Sequence, residues 1–313
     1  MPDKTKLLIA NEFHPETVEE LDAQFECHKL WLLPPPDQKD LIDQLKPDCK
    51  AVATASWATN PLIYDLPELE IISCFGVGVN GIDFETTRSR HIFVTNTPKV
   101  LNDAVADIAV SLILATQRNL INADRFVRDG LWLEGSFPFG NSLAGKTLGI
   151  LGLGNIGEEI VKRALPLKLK IAYHNRHRKN LPYPYYANAI ELAANCDILL
   201  CMLPGGKETD KLVNREVLEN LGPEGTFINV GRGSSVDDEA LIWALQSKTI
   251  AGAALDVYNN EPHVHQELLA MKNVILLPHI GSATIETRTA MGQLVIDNLL
   301  AWAQRKPLLT PVE

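Results

Sequence analysis

An arginine, two carboxylates and a histidine recur at equivalent places in the second half of the chain, each just after a short apolar run. They are Arg232 in INVGRGSSVD, Asp256 and Glu261 in ALDVYNNEP, and His279 in LLPHIGSAT. Open α/β sheets bind their ligands at the carboxyl edge of the strands, which is where such residues fall. A fixed guanidinium holds a carboxylate and polarises a neighbouring ketone, and an imidazole protonates the oxygen as hydride reaches carbon. Arg232 and His279 suit those two roles in the reduction of a 2-oxoacid. A carboxylate beside the imidazole keeps it protonated near neutral pH and sets its orientation, and Glu261 is placed in sequence to do so. Asp256 is placed to meet the nicotinamide end of a cofactor. Each residue alone has a plainer reading: a satisfied structural histidine, an arginine capping a turn between glycines, a solvent-exposed glutamate before proline.

Gly152, Gly154 and Gly157 form GxGxxG directly after the apolar segment TLGIL and directly before EEIVKRAL, a helical pattern. The first glycine permits a tight turn, the second lets backbone approach a pyrophosphate, and the third lets helix and strand pack closely. The phosphates then sit over the free N–H groups of the helix start, so Leu153, Asn155 and Ile156 join the glycines as candidate cofactor contacts. Pro204, Val230 and Gly281, in the loops after later apolar segments, complete that set. Where an NAD enzyme usually carries Asp or Glu, roughly 20 residues on, this chain has Asn175, Arg176, His177 and Arg178. With no carboxylate to repel a 2'-phosphate and two guanidiniums able to fork onto it, the position suits NADPH, with NADH at lower preference. A solvated basic turn is the plainer reading.

These residues need parallel sheets to carry them, and the pattern supplies two. Over the first ~100 residues, β-branched or apolar runs alternate with polar, helix-like stretches, which is βαβ punctuation. From Asn102 to about Asp129, apolar residues keep helical spacing, with Asn102 as a candidate N-cap and Gly130 as a stop. Near Lys146 the strand–helix alternation restarts, and a last amphipathic helix begins near Glu286, followed by PLLTPVE. The expected class is α/β, with two doubly wound parallel-sheet domains and a cleft between them. Residues 1–99 with 287–313 form the flavodoxin-like substrate domain and 100–286 the Rossmann cofactor domain. A hydrophobic share of 46% and a charged share of 22% are ordinary for a globular protein. No apolar run approaches the ~18 residues of a membrane span, and the start lacks the build of a signal peptide; a soluble, cytoplasmic protein is expected. The net charge of -10 argues against nucleic acid as a partner. Five scattered cysteines without a CxxC pair, Cys27, Cys49, Cys74, Cys196 and Cys201, read as reduced thiols. His263 and His265 lack further ligands of suitable spacing, so no metal site is expected.

Together the segments resemble the D-isomer-specific 2-hydroxyacid dehydrogenase family, and most closely its glyoxylate/hydroxypyruvate and hydroxyphenylpyruvate reductase branch. The resemblance runs through FGVGVNGID, VTNTPKVLNDAVADIAVSLILAT, GILGLGNIG, NVGRGSSVDDEAL, AGAALDVYNNEP, LLPHIGSAT and PLLTPV, nearly the whole chain. It implies that His279 is the proton donor, Glu261 its partner and Arg232 the substrate anchor. It further implies that backbone N–H groups near Val77 and Gly78 receive the substrate carboxylate across the cleft. The helix from Asn102 would lie in a homodimer interface, with Trp132 near the partner's pocket. Asn80 replaces an Asp frequent in the family, and Ser56, Trp57 and Ala58 occupy a loop that varies among relatives, so the substrate stays open. Glu261, where formate dehydrogenases of the superfamily carry Gln, argues against formate oxidation. Two alternatives remain: reduction of a 2-imino acid to a D-amino acid in the same site, and a non-catalytic dinucleotide-sensing scaffold.

Overall fold

The computed structural model describes residues 4–55 and 59–312. The chain divides into two compact units, Met1–Leu101 with Thr284–Glu313, and Asn102–Ala283. In the first unit the strands are β1 Lys6–Ile9, β2 Glu26–Lys29, β3 Ala51–Ala55, β4 Ile71–Phe75 and β5 Phe93–Thr95. They pair in the order β2-β1-β3-β4-β5, every pair parallel, which is the flavodoxin-like order. Helices α1 Pro15–Gln24, α2 Pro35–Leu45 and α3 Phe84–Ser89 lie in three of the connections, and a 3-10 turn, Pro61–Asp65, lies between β3 and β4. β3 and β4 are buried at every position, as parallel strands covered on both faces must be.

The second unit opens with α4 Asn102–Gln117 and α5 Leu120–Arg128. The apolar spacing that reads as one helix is two in the structure, bent by 60°. The break falls at Asn119, whose φ of 52° is left-handed, a conformation asparagine tolerates better than most residues. Gly130, at φ 76°, follows the end of α5. Then come β6 Thr147–Leu151, α6 Asn155–Ala164, β7 Lys170–His174, α7 Ala189–Ala193, β8 Ile198–Cys201 and α8 Arg215–Leu221. After them follow β9 Thr226–Asn229, α9 Asp238–Gln246, β10 Gly252–Leu255, α10 Gln266–Ala270 and β11 Val274–Leu276. The sheet order is β11-β10-β9-β8-β6-β7, again all parallel. A parallel bridge from Tyr173 to Tyr185 lies on the free side of β7, where the Rossmann order 3-2-1-4-5-6 has one more strand. β6 and β8 are therefore the neighbours at which the winding reverses. In β6 the side chains of Leu148, Ile150 and Leu151 are fully buried, each such burial stabilising by about 1.5–3 kcal/mol.

The last helix, α11 Ile285–Ala303, returns to the first unit. Thr284 caps it by accepting from the Thr287 N–H, and Gly292 lets it approach α1 so closely that a Cβ there would lie 2.0 Å from Thr17 Oγ1. Beyond it, the Val312 N–H bonds the Val94 carbonyl and Pro311 bridges Thr95, so the tail adds to the β5 edge. No single helix among the described residues is long and apolar enough to cross a membrane.

The glycines of the β6–α6 turn differ in what they require. Gly152 has φ 91°, and a Cβ there would lie 3.1 Å from the Met202 carbonyl. At Gly157 a Cβ would make only ordinary contacts, 3.4 Å at closest, so close packing does not require glycine at that position. Gly152→Ala should cost about 1–3 kcal/mol of unfolding free energy from backbone strain. Gly157→Ala, inside a helix, should be neutral or gain up to ~1 kcal/mol. Urea denaturation of both variants checks this, and equal losses would contradict it.

Candidate active site

The second unit brings its polar residues together at the carboxyl edge of the sheet. β9 leads into Asn229, which is buried. Its Nδ2 donates to the Arg232 carbonyl at 3.0 Å and its Oδ1 accepts from the Gly231 N–H at 3.0 Å. Ser235 Oγ donates to the same Arg232 carbonyl at 2.6 Å. The flanking glycines are there for space. A Cβ on Gly231 would sit 2.6 Å from the Leu203 carbonyl oxygen, and one on Gly233 would sit 1.9 Å from the Tyr258 carbonyl carbon. Arg232 is thus held between two backbone walls. One guanidinium nitrogen donates to the Gly231 carbonyl at 2.7 Å, while Nε is buried with no acceptor among the described residues. Burial pulls this guanidinium below its ordinary value, opposed by the charge of Glu261. An arginine stays cationic under such a shift.

Glu261 and His279 meet. His279 Nδ1 lies 2.7 Å from Glu261 Oε2, and the other carboxylate oxygen accepts from the Tyr258 N–H at 2.9 Å. An ionised carboxylate takes Nδ1 as a donor, which directs Nε2 to whatever lies on the far side of the ring. Burial pushes the Glu261 carboxyl up, but the hydrogen bond from His279, the Tyr258 N–H and the charges of His279 and Arg232 outweigh it. The carboxyl is held below its ordinary value. Tyr258, beside the pair, is pushed up to about 12 by burial and then by the charge of Asp256. Its hydroxyl donates to the Leu277 carbonyl at 2.9 Å, so it is not placed to act as an acid.

Asp256 is buried, and its two oxygens accept from the Ile280 N–H at 2.7 Å and the Gly281 N–H at 2.8 Å. His279 precedes these amides in a left-handed conformation, φ 53°, which costs a non-glycine residue roughly 1–3 kcal/mol unless its surroundings enforce it. Asp256 supplies that enforcement. Gly281 is buried, and a Cβ there would come 3.1 Å from Asp256 Oδ2.

Gly154 heads α6 without a side-chain cap, and a Cβ on it would meet nothing within 4 Å. The first-turn N–H groups of Asn155, Ile156 and Gly157 have no intrahelical acceptors, so the turn has the open space and the donors that a pyrophosphate needs. Asn175, at the position where an NAD enzyme carries an acidic residue, turns its side chain to the glycine-rich turn. Its Oδ1 accepts from the Leu153 N–H at 2.6 Å and its Nδ2 donates to the Leu153 carbonyl at 3.0 Å, bracing the glycine-rich turn. Leu153 itself is buried. Arg176 is exposed and pairs with Glu208 at 2.8 Å. Pro204 is exposed and Val230 buried. In the first unit Val77 follows β4, and its carbonyl accepts from Asn96 Nδ2 at 2.8 Å; Gly78 comes next and is half-buried. Ser56, Trp57 and Ala58 lie outside the described residues.

Reading along the sequence misses Asn229, the tether from Asp256 and the bracing by Asn175, because each acts on backbone far away in the chain or hidden in a turn. The only sequence signal for Asn229 was its place at the end of an apolar run. Replacing Asp256 with Ala strands two N–H groups. Each stranded group should cost about 1–3 kcal/mol, read as a lowered midpoint in urea denaturation; a loss under ~0.5 kcal/mol would refute the tether.

Comparison with known proteins agrees with this geometry. Residues 110–281 match the model of the "D-isomer specific 2-hydroxyacid dehydrogenase, NAD binding domain" family. A glyoxylate/hydroxypyruvate reductase of Arabidopsis thaliana is 44% identical over 296 residues, covering 94% of each chain. A 2-ketogluconate reductase of Gluconobacter oxydans is 38% identical over the full length of both. Among solved structures, an NADPH-dependent glyoxylate/hydroxypyruvate reductase from Sinorhizobium meliloti, in complex with NADP and malonate, superposes with a TM-score of 0.90. It is 42% identical, with 99% of this chain and 97% of that one covered. The chain belongs to the D-isomer specific 2-hydroxyacid dehydrogenase family and is an NAD(P)-dependent oxidoreductase.

Proposed function

We propose that this chain reduces glyoxylate, hydroxypyruvate or a related small 2-oxoacid to the D-2-hydroxyacid, with NADPH as the preferred donor. The observation that carries the reading is the 2.7 Å pairing of His279 with Glu261, beside an arginine whose buried Nε has no acceptor among the described residues. NADPH, when bound, supplies the hydride. Gly152, Gly154 and Gly157, with the N–H groups of Asn155 and Ile156, would hold its pyrophosphate, and Arg176 its 2'-phosphate.

Arg232 fixes the substrate carboxylate and, being poor in solvent, acts on it more strongly than it would in water. His279, aligned by Glu261 through Nδ1, gives the Nε2 proton to the ketone oxygen as it becomes an alkoxide. Glu261 stays ionised and steadies the imidazolium before transfer. Val77 and Gly78 enter the proposal as carboxylate contacts through the family resemblance, and Pro204, Val230, Asp256 and Gly281 as cofactor contacts by their places just after apolar strands. The named relatives support both parts: reductases of glyoxylate, hydroxypyruvate and 2-ketogluconate recur among them, and one solved neighbour is NADPH-dependent. Five free cysteines support a cytoplasmic location. The exposed apolar side chains of Trp132, Leu133 and Phe139 support a homodimer.

His279→Ala should lower kcat for 2-oxoacid reduction by about 10²–10⁴ while NADPH still binds; a loss under tenfold would remove His279 as the donor. Glu261 is held below its ordinary 4.5, so its charge is lost only as pH drops through that lower value, and no acid limb should appear between ~pH 5 and 7. An acid limb in that window would contradict the pairing. Arg176→Asp should turn the ratio of kcat/KM from NADPH toward NADH, and an unchanged ratio would contradict the 2'-phosphate assignment.

A further inference from the structure

We infer that Glu208 is a specificity-determining residue that restrains the preference for NADPH by competing with the 2'-phosphate for Arg176; the inference rests on the NADPH reading above. In the sheet, β6 lies between β7 and β8. The loop after β7 carries Arg176 and the loop after β8 carries Glu208, so the two loops flank the glycine-rich turn at the end of β6. Across them Arg176 donates to Glu208 Oε2 at 2.8 Å. Glu208 sits on a braced turn, for Thr209 Oγ1 donates to the carbonyls of Pro204 at 2.6 Å and Gly206 at 3.1 Å. Its carboxylate is thereby presented to Arg176 by local structure.

The chemistry follows from charge. The end of β7 has no Asp or Glu for the ribose hydroxyls, yet a carboxylate reaches the same guanidinium from the next loop. A 2'-phosphate must draw Arg176 away from Glu208 or share it beside a like charge, and either lowers the gain from binding. A ribose with a free 2'-hydroxyl meets no such repulsion and can donate to Glu208. Both side chains are 75% exposed, so the pair opens without unfolding anything. It is also a weak pair of the exposed kind, which keeps the effect small. The neighbouring Lys179 is engaged elsewhere, 3.0 Å from Glu158 in the first turn of α6.

The test is fluorescence titration of NADPH and NADH on the full-length protein, Glu208→Gln, Arg176→Ala and the double variant. Glu208→Gln should tighten NADPH by about two- to fivefold and leave NADH unchanged or weaker. That gain should shrink in the Arg176→Ala background, as coupled neighbours require. If Arg176→Ala weakens NADPH selectively but Glu208→Gln changes neither cofactor, or changes both alike, the inference falls and the NADPH reading stands. A gain of equal size in both backgrounds likewise overturns it, since Glu208 would then act independently of Arg176. If Arg176→Ala leaves the NADPH to NADH ratio unchanged, both fall.

Discussion

An imidazole that hands over a proton has to be aimed, and in this chain it sits on a loop residue with a left-handed backbone that does not hold itself. The 2.7 Å bond between His279 Nδ1 and Glu261 sets the ring, but only because the loop beneath is tied down on both sides. The Tyr258 hydroxyl takes the Leu277 carbonyl before His279, and Asp256 takes the N–H groups of Ile280 and Gly281 after it. The Tyr258 N–H in turn takes the second oxygen of Glu261. All of these holding groups follow β10, and all the held ones follow β11, its neighbour in the sheet. Parallel pairing of those two strands is what makes the site possible, since it brings two loops far apart in sequence out side by side.

The electrostatics follow from the same crowding. Arg232 is threaded between Leu203 and the backbone at Tyr258, where only glycines fit on either side, and the cost is desolvation of its charge. Glu261 offsets part of that cost without bonding to Arg232 directly, and the same carboxylate is held ionised by its neighbours. A buried cation with a donor atom left over is expensive in stability. Under the proposed function that expense is what gives the enzyme its grip on a carboxylate.

The two-sheet architecture was legible because parallel strands buried on both faces write continuous apolar runs, separated by helical periods. The order of Arg232, Glu261 and His279 along the chain was legible for the same reason: each follows a strand, and strand ends share an edge. What periodicity cannot carry is contact between loops. The bend at Asn119 arises from a single left-handed residue that interrupts no apolar spacing. The close approach at Gly231 and Gly233 depends on backbone from Leu203 and Tyr258, and the third glycine of GxGxxG fits the motif without being needed sterically. Asn175 stands where an NAD enzyme carries an acidic residue, and nothing in the sequence shows that its amide is spent on Leu153. Glu208 stood in no motif and acquires meaning only opposite Arg176.

The central claim is that His279, held by Glu261, delivers the proton to the ketone oxygen. The most direct test is the single-turnover rate of hydroxypyruvate reduction by the NADPH-loaded enzyme, in water and in deuterium oxide, for the natural chain and His279→Ala. The account predicts a slower turnover in deuterium oxide for the natural chain, and a much slower, isotope-insensitive residual rate in the variant. Equal rates in both solvents together with an undiminished rate in the variant would contradict it.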